Sequence, residues 1–278
     1  NKTSIDKSLN DLRDKRFLTA DFDKVSQIDL TAKKQQIEFQ HSKDAWQIVK
    51  PVPARADGSQ VDDLVQKLRT AKFDIASGDD AKKAASAFAA GTPFSDVKIV
   101  GASGTQDLQI RKNKDDYYAR SSVAEGAYKV ANDLATALDK SLDDFRNKKL
   151  FDFGFDDPNK IEFRDGSKST TLTHTGADWF QDGKKLDPAG VDNFVEKIRN
   201  LAAVKFPDSG FGSAEIDLNI TSNDSKRVEK ISISKNGDRY IAKRENEPEL
   251  YELNATDVSD LQKAVADVKP VPPAPAKH

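Results

Sequence analysis

The chain contains one sequence pattern twice, and this repetition constrains the fold more than any local motif. When the numbering is shifted by 133, the stretch at residues 12–16 falls on residues 145–149, and Trp46 falls on Trp179. These are the two tryptophans of the chain. Other matching pairs are Phe22 with Phe155, Ile28 with Ile161, and His41 with His174. Because a repeated pattern indicates a repeated structural unit, we predict two copies of one fold.

The composition is typical of a charged globular protein and excludes several functional classes. A length of 278 residues allows about two domains. The net charge is −2 with both signs interspersed, so no basic field for nucleic acid is expected. No stretch approaches the roughly 18 apolar residues of a membrane span. The chain has no cysteine, which excludes disulfides, thiol catalysis and zinc sites that need thiolates.

The first part of each unit is predicted to form three strands followed by a helix. Alternation of apolar and polar residues indicates half-buried strands. These strands are predicted at 26–31, 35–40 and 45–50, and near 159–164, 168–174 and 178–181. Pro51 and Pro53 are expected to end the sheet. Asp57 and Asp187 are each expected to cap a helix with an apolar stripe.

The second part of each unit is also repeated, with an offset of 123 that places Tyr117 on Tyr240. Strands are predicted near 96–100, 106–112, 116–121 and 127–130, and near 214–221, 228–235, 238–244 and 249–253. Residues 80–90 are alanine-rich and are expected to form a short helix that the second copy lacks.

A helix is predicted to close each unit. Leu134, Leu138, Leu142 and Phe145 share one helical face, so we expect a helix that runs to about residue 149 and joins the two units. In the second copy Thr256 is expected to cap the closing helix. The fold class is therefore α+β, with two tandem units that each pack helices on an antiparallel sheet and are joined by a continuous helix.

These patterns divide the chain into four parts. Residues 1–11 match the segment that closes the first repeat, so we expect them to be the end of a preceding, truncated repeat. Residues 12–144 form the first unit, 145–268 the second and 269–278 a proline-rich tail. On this interpretation a further copy, or part of one, lies upstream, with a membrane anchor or signal beyond it.

The stretch Leu12–Leu18, the strand after it and Trp46-Gln-Ile-Val-Lys-Pro together resemble the domain of unknown function DUF4340, and the echo around Trp179 does the same. The resemblance covers the chain as two tandem copies. It implies a bacterial extracytoplasmic protein, periplasmic or at the cell surface, held by an N-terminal membrane helix outside this sequence. It also implies association with ABC-type export systems, including gliding systems, with membrane transporter subunits as partners. It supplies no catalytic residues.

Two groups of residues are candidates for binding, and each has a structural alternative. Trp46 and Trp179 could stack on a sugar or peptide, or they could pack in the core. A basic cluster at the start of each unit could contact an acidic partner or lipid headgroup, or could be cations at a helix C-terminus. The cluster consists of Arg13, Lys15, Arg16, Arg146, Lys148 and Lys149.

His41 and His174 could sense pH or bind a metal, or they could be polar residues at a strand end. No carboxylate or second histidine recurs at ligand spacing, so we expect no metal site and no cofactor. No catalytic triad, phosphate-binding loop or dinucleotide fingerprint is present, and we predict a protein that is not an enzyme.

Three functional hypotheses follow. The first is a non-catalytic extracytoplasmic scaffold or accessory module of an ABC-type membrane transport complex. The second is a glycan- or peptide-binding surface protein, which predicts a solvent-exposed tryptophan in a groove. The third is an uncharacterised enzyme, which predicts a pocket of converging polar residues that differs between the two copies.

Overall fold

The computed structural model describes residues 14–43, 45–74 and 79–272. The chain forms two compact units, residues 1–147 (unit 1) and 148–278 (unit 2). Each unit packs helices on an antiparallel sheet, so the predicted α+β class is confirmed.

Unit 1 contains an eight-stranded sheet in the order β4-β3-β2-β1-β5-β6-β7-β8 among the described residues. The strands are β1 (Val25–Ala32), β2 (Gln35–Ser42), β3 (Ala45–Lys50), β4 (Ala54–Arg55), β5 (Thr92–Gly101), β6 (Gly104–Asn113), β7 (Asp116–Ser121) and β8 (Tyr128–Val130). The helices are α1 (Gly58–Thr70), α2 (Asp79–Ala90), α3 (Asn132–Leu138) and α4 (Leu142–Phe145).

Unit 2 repeats this order and adds one edge strand, giving β12-β11-β10-β9-β14-β15-β16-β17-β13 within the described part of the chain. The strands are β9 (Lys160–Asp165), β10 (Lys168–Thr175), β11 (Asp178–Gln181), β12 (Lys184–Lys185), β13 (Ala203–Lys205), β14 (Ile216–Ser222), β15 (Arg227–Asn236), β16 (Arg239–Arg244) and β17 (Leu250–Leu253). The helices are α5 (Pro188–Asn200) and α6 (Ala255–Ala266).

Strand register makes the two units comparable position by position. In unit 1 Val97 of β5 lies between Leu30 of β1 and Leu108 of β6. In unit 2 Leu218 of β14 lies between Phe163 of β9 and Ile231 of β15. The residue numbers of equivalent positions therefore differ by 133 in the first hairpin of each unit, by 121 between β5 and β14, and by 123 in the strands that follow.

One face of each sheet forms the core, because alternate strand residues are apolar. In unit 1 Ile28 and Leu30 are fully buried and belong to one cluster with Leu64 and Leu68 of α1. The equivalent cluster in unit 2 includes the apolar stripe of α5. The predicted caps are confirmed: the Asp57 carboxylate accepts hydrogen bonds from Ser59 N and Gln60 N, and that of Asp187 accepts one from Ala189 N.

The opposite face of each sheet, which we call the outer face, is covered at one end. In unit 1 α2 lies there, with the buried ring of Phe88 4.8 Å from the guanidinium carbons of Arg111 and Arg120. In unit 2 a loop lies there instead, and Gly212 N donates to Ser234 Oγ at 3.1 Å. Charged side chains such as Asp96 and Lys98 in unit 1, and Asp217 and Lys230 in unit 2, line part of the remaining outer face.

The prediction of a continuous joining helix is wrong. The helix stops at Leu138 and a new one begins after Ser141, whose backbone N–H donates to the Asp144 carboxylate at 2.7 Å in a capping box. It ends at Phe145, and Arg146 is extended and bridges Ala56. The cap at Ser141 and the backbone pairing of Arg146 therefore break the helix, although the spacing of the apolar residues is that of one continuous helix.

Two smaller expectations are also corrected. Pro51 and Pro53 do not end the sheet, because β4 follows them and pairs with β3. Asn254 rather than Thr256 caps α6, and its side chain accepts a hydrogen bond from Thr256 N at 2.9 Å.

Candidate functional site

The outer face of each sheet contains a polar cleft at equivalent positions. Cleft 2, in unit 2, has a volume of about 610 Å³ and is lined by residues of β9, β10 and β14–β16. Cleft 1, in unit 1, has a volume of about 520 Å³ and is lined by the equivalent strands β1, β2 and β5–β7. Because strand side chains alternate between faces, residues adjacent to core positions line these clefts.

Paired charges organise cleft 2. The Asp217 carboxylate accepts hydrogen bonds from Arg164 Nε at 2.8 Å and from Ser232 Oγ at 2.6 Å. Arg164 also donates to the carbonyl of Gly166 at 3.1 Å. Charge-assisted hydrogen bonds of this kind fix the orientation of the Arg164 and Asp217 side chains relative to each other. The centre of cleft 2 is therefore an ordered ion pair with a hydroxyl beside it.

Cleft 1 has a carboxylate at the same place without the arginine. Asp96 is equivalent to Asp217, and Thr31 stands where unit 2 has Arg164. Partial desolvation in the concavity raises the pKa of the Asp96 carboxyl, because neighbouring side chains restrict the water around it. Arg111 lowers this pKa and Asp107 raises it. The two clefts thus occupy equivalent positions and differ in charge.

These clefts offer hydrogen-bonding and charged side chains. Among the described residues, no cluster of three or more His, Asp or Glu side chains could hold a metal ion. In the same part of the chain, no helix combines the length and the apolar character needed to cross a bilayer.

The two tryptophans pack in or against the cores and do not line the two clefts. Trp179 is 4% exposed and belongs to the core of unit 2. Trp46 is half-buried and packs against the core of unit 1. Each pairs across strands with the matching histidine, His174 or His41, and contacts its ring. This packing favours the structural interpretation of both aromatic residues.

The residues of the basic cluster that the structure describes lie in segments without helical structure, in both units. Arg13 lies outside the described residues. Arg16 bridges Lys72 after α1, and Lys149 bridges Ala202 after α5, at the equivalent position. The carbonyls of Lys15 and Lys148 accept hydrogen bonds from the same two segments, from Phe73 N at 2.9 Å and Ala203 N at 2.8 Å. The helix C-terminus expected for Lys148 and Lys149 is absent, because α4 ends before Arg146.

Local ion pairs hold two of these cations. Arg16 Nη2 lies 2.7 Å from the Asp14 carboxylate, and this contact lowers the pKa of Asp14 to about 2. Arg146 Nη1 lies 3.0 Å from Asp143. Lys148 and Lys149 are exposed. The structure therefore places Lys15 and Arg16 in the first segment of unit 1, Lys148 and Lys149 in the first segment of unit 2, and Arg146 at the end of unit 1. Lys148 and Lys149 face solvent, whereas Lys15 is half-buried.

A polar contact beneath the first segment of each unit was not predicted. In unit 1 the Gln106 side-chain oxygen accepts a hydrogen bond from Thr19 N at 2.8 Å, and Ser121 Oγ donates to the carbonyl of Phe17. In unit 2 Glu229 Oε1 accepts one from Asp152 N at 2.9 Å, and Arg244 donates to the carbonyl of Leu150.

Unit 2 thus has the charged residues Glu229 and Arg244 where unit 1 has the neutral residues Gln106 and Ser121. Arg244 and Glu229 lie 3.3 Å apart and their side chains are 11% and 5% exposed. The sequence signal for Glu229 is its place in the buried phase of β15, two residues before Ile231.

Comparison with protein families gives one match, over residues 46–215, to the domain of unknown function (DUF4340). The chain belongs to the DUF4340 family. The DUF4340 match begins in β3 of unit 1 and ends directly before β14 of unit 2, as a single segment. No curated protein and no solved structure matches the chain.

Proposed function

We propose that this DUF4340 protein is a non-catalytic binding module, and that it acts as an extracytoplasmic scaffold or accessory subunit of a bacterial ABC-type membrane transport complex. The observation that carries the proposal is the presence of two polar clefts at equivalent positions on the outer faces. In cleft 2 the charged groups Arg164 and Asp217 pair with each other instead of converging on one reacting point.

The tandem organisation supports a scaffold. Both units share one strand order, so we infer that they are two copies of one repeat. Two similar surfaces with different charge suit the holding of two partners, or of two parts of one partner. The location outside the cytoplasm and the association with transporters rest on the family resemblance.

A glycan- or peptide-binding surface protein is the second candidate, because open clefts lined by hydroxyl and charged groups can bind a polar chain. The version that uses stacking on tryptophan is disfavoured, since Trp179 is buried and Trp46 is half-buried. An enzyme would require a reactive group in one of the clefts, and we place this third.

Site-specific crosslinking of the full-length protein in its native membrane tests the proposal. A photo-reactive residue is placed in cleft 1 at Thr31 or in cleft 2 at Thr171, which are both exposed. Matched controls are the exposed helix positions Asp62 and Asp192. We expect transporter subunits from the cleft positions and not from the controls. Recovery of no transporter subunit, or equal recovery from the controls, would overturn the proposal.

A further inference from the structure

Phe155 is the most exposed large apolar side chain in the described part of the chain. It is 96% exposed, whereas the other large apolar residues at the surface are between 44% and 56% exposed. It lies in the loop before β9, next to Asp156 and Asp157, which are also exposed. An isolated apolar residue at a surface is ordinary, but a fully exposed phenylalanine forgoes all of its burial energy.

The equivalent residue of unit 1 shows that this exposure is specific to unit 2. Phe22 is 7% exposed, and its ring lies 5.8 Å from the guanidinium carbon of Arg69. In unit 2 Arg199 stands at the position of Arg69, and its guanidinium carbon lies 5.3 Å from the ring of Phe153. Unit 1 has Ala20 at the position of Phe153. Phe153 therefore takes the place beneath the arginine and leaves Phe155 outside.

The loop around Phe155 is held in place by Arg199. Its Nε donates to the carbonyl of Gly154 at 2.8 Å, and its Nη2 donates to the carbonyl of Phe155 at 3.2 Å and to Asp157 at 3.3 Å. The guanidinium is largely buried, with 16% of the side chain exposed. Gly154 has φ +75°, a conformation that favours glycine. The backbone on both sides of Phe155 is thus ordered before any partner binds, which reduces the entropy lost on binding.

We propose that Phe155 is an apolar anchor that docks into an apolar pocket with a cationic rim on a partner protein. The charge of the partner follows from the carboxylates around the anchor. Asp156, Asp157 and Glu196 are exposed near the loop, and Arg199 contacts the last two. A cationic rim complements this acidic surround, and an aromatic residue buried in a pocket is the usual centre of a binding hot spot. An anionic lipid surface would repel the same carboxylates.

This inference rests on the proposed function, since it names the contact by which unit 2 would hold its partner. The test places a photo-reactive phenylalanine analogue at position 155 of the full-length protein in its native membrane, with Val52 of unit 1, 44% exposed, as the matched control position. We expect a crosslink whose mapped peptide on the partner is apolar and flanked by Lys or Arg. We also expect Asp156→Lys to lower the yield roughly tenfold.

A binding measurement with the partner so mapped completes the test. Phe155→Ala should weaken binding roughly tenfold or more, and Phe155→Leu by less, because leucine keeps part of the apolar contact. Both variants should keep the unfolding midpoint of the parent protein, since the side chain makes no core contact. Crosslinks to lipid, to a second copy of this chain or to an acidic peptide would overturn the inference, as would a yield equal to that at Val52 or unchanged by Asp156→Lys.

The two proposals fail in different ways. If Thr31 or Thr171 crosslinks to transporter subunits and position 155 does not crosslink, the anchor is wrong and the proposed function stands. If position 155 maps to a cation-rimmed pocket on a protein unrelated to transport, the anchor stands and the transporter role falls.

Discussion

The imidazole of His174 stacks on the indole of Trp179, with ring centroids 4.6 Å apart and an angle of 8° between the planes. The two residues face each other across β10 and β11. His41 and Trp46 form the same cross-strand pair in unit 1, with centroids 4.9 Å apart and planes at 52°. The pair is thus kept in both units, but it is packed more deeply in unit 2, where Trp179 is buried.

This difference in depth predicts unequal effects of removing the two indoles. Trp179→Ala should lower the free energy of unfolding of unit 2 by about 3–5 kcal/mol, because it empties a buried site. Trp46→Ala should cost unit 1 less, about 1–3 kcal/mol, because its ring is half-buried. Urea unfolding followed by far-UV circular dichroism measures both. A larger loss for Trp46→Ala would contradict the packing described above.

Strand positions and two helix caps could be predicted from the sequence because they depend on neighbouring residues. Alternation sets the strands, and Asp57 and Asp187 accept hydrogen bonds within their own first turns. The break after Leu138 could be predicted only in part, because the capping box of Ser141 and Asp144 is local but another contact is not. Leu142 N donates to the side chain of Gln35, which is 107 residues away.

The candidate sites show the same limit. Glu229 could have been noticed, because a charged residue in the buried phase of a strand requires a partner. The exposure of Phe155 could not, because Phe155 and Asp156 repeat the pair formed by the buried Phe22 and Asp23. The exposure depends on which phenylalanine ring packs against Arg199, and Arg199 lies in α5, more than forty residues after Phe155 in the sequence.

The buried ions of unit 2 predict a strongly non-additive double mutant. Arg244→Ser alone leaves Glu229 buried without its ion partner and should cost about 3–5 kcal/mol of unfolding free energy. Glu229→Gln combined with Arg244→Ser copies the Gln106 and Ser121 pair of unit 1, and should recover most of that loss. Unfolding of the two single mutants and the double mutant gives the coupling energy. Additive losses would show that the two side chains act independently.

The two equivalent carboxylates of the clefts predict opposite effects of the same substitution. The pKa of Asp96 is raised above its ordinary value of 3.8, so the folded chain binds this proton more readily than the unfolded chain. Its contribution therefore increases stability as pH falls through the folded pKa, and is least favourable at neutral pH.

Asp96→Asn should accordingly raise the free energy of unfolding at pH 7 by less than about 1 kcal/mol, since the group is screened by solvent. The gain should shrink on acidification toward pH 4. Asp217→Asn is the matched control, and should cost about 1 kcal/mol at pH 7 because it removes the charge that Arg164 binds. Thermal unfolding of both variants at several pH values measures these differences. A loss of stability for Asp96→Asn at pH 7 would contradict the prediction.

The close packing of α5 on the end of α6 predicts that Gly190 does not tolerate a methyl group. A Cβ atom there would lie 2.9 Å from the carbonyl oxygen of Asp267, which belongs to the backbone and cannot rotate away. Gly190→Ala should therefore cost unit 2 about 1–3 kcal/mol, even though alanine favours a helix. Gly58 in α1 is the control, because its Cβ would meet nothing within 4 Å.

Gly58→Ala should leave unit 1 unchanged or stabilise it by up to about 1 kcal/mol, since alanine loses less backbone freedom on folding. The chain allows the two effects to be read separately, because each unit contains one tryptophan. In a Trp46→Phe background the fluorescence of Trp179 follows unit 2, and in a Trp179→Phe background that of Trp46 follows unit 1. If Gly190→Ala shifts the Trp179 transition no more than Gly58→Ala shifts that of Trp46, then α5 and α6 do not approach as closely as the Asp267 contact requires.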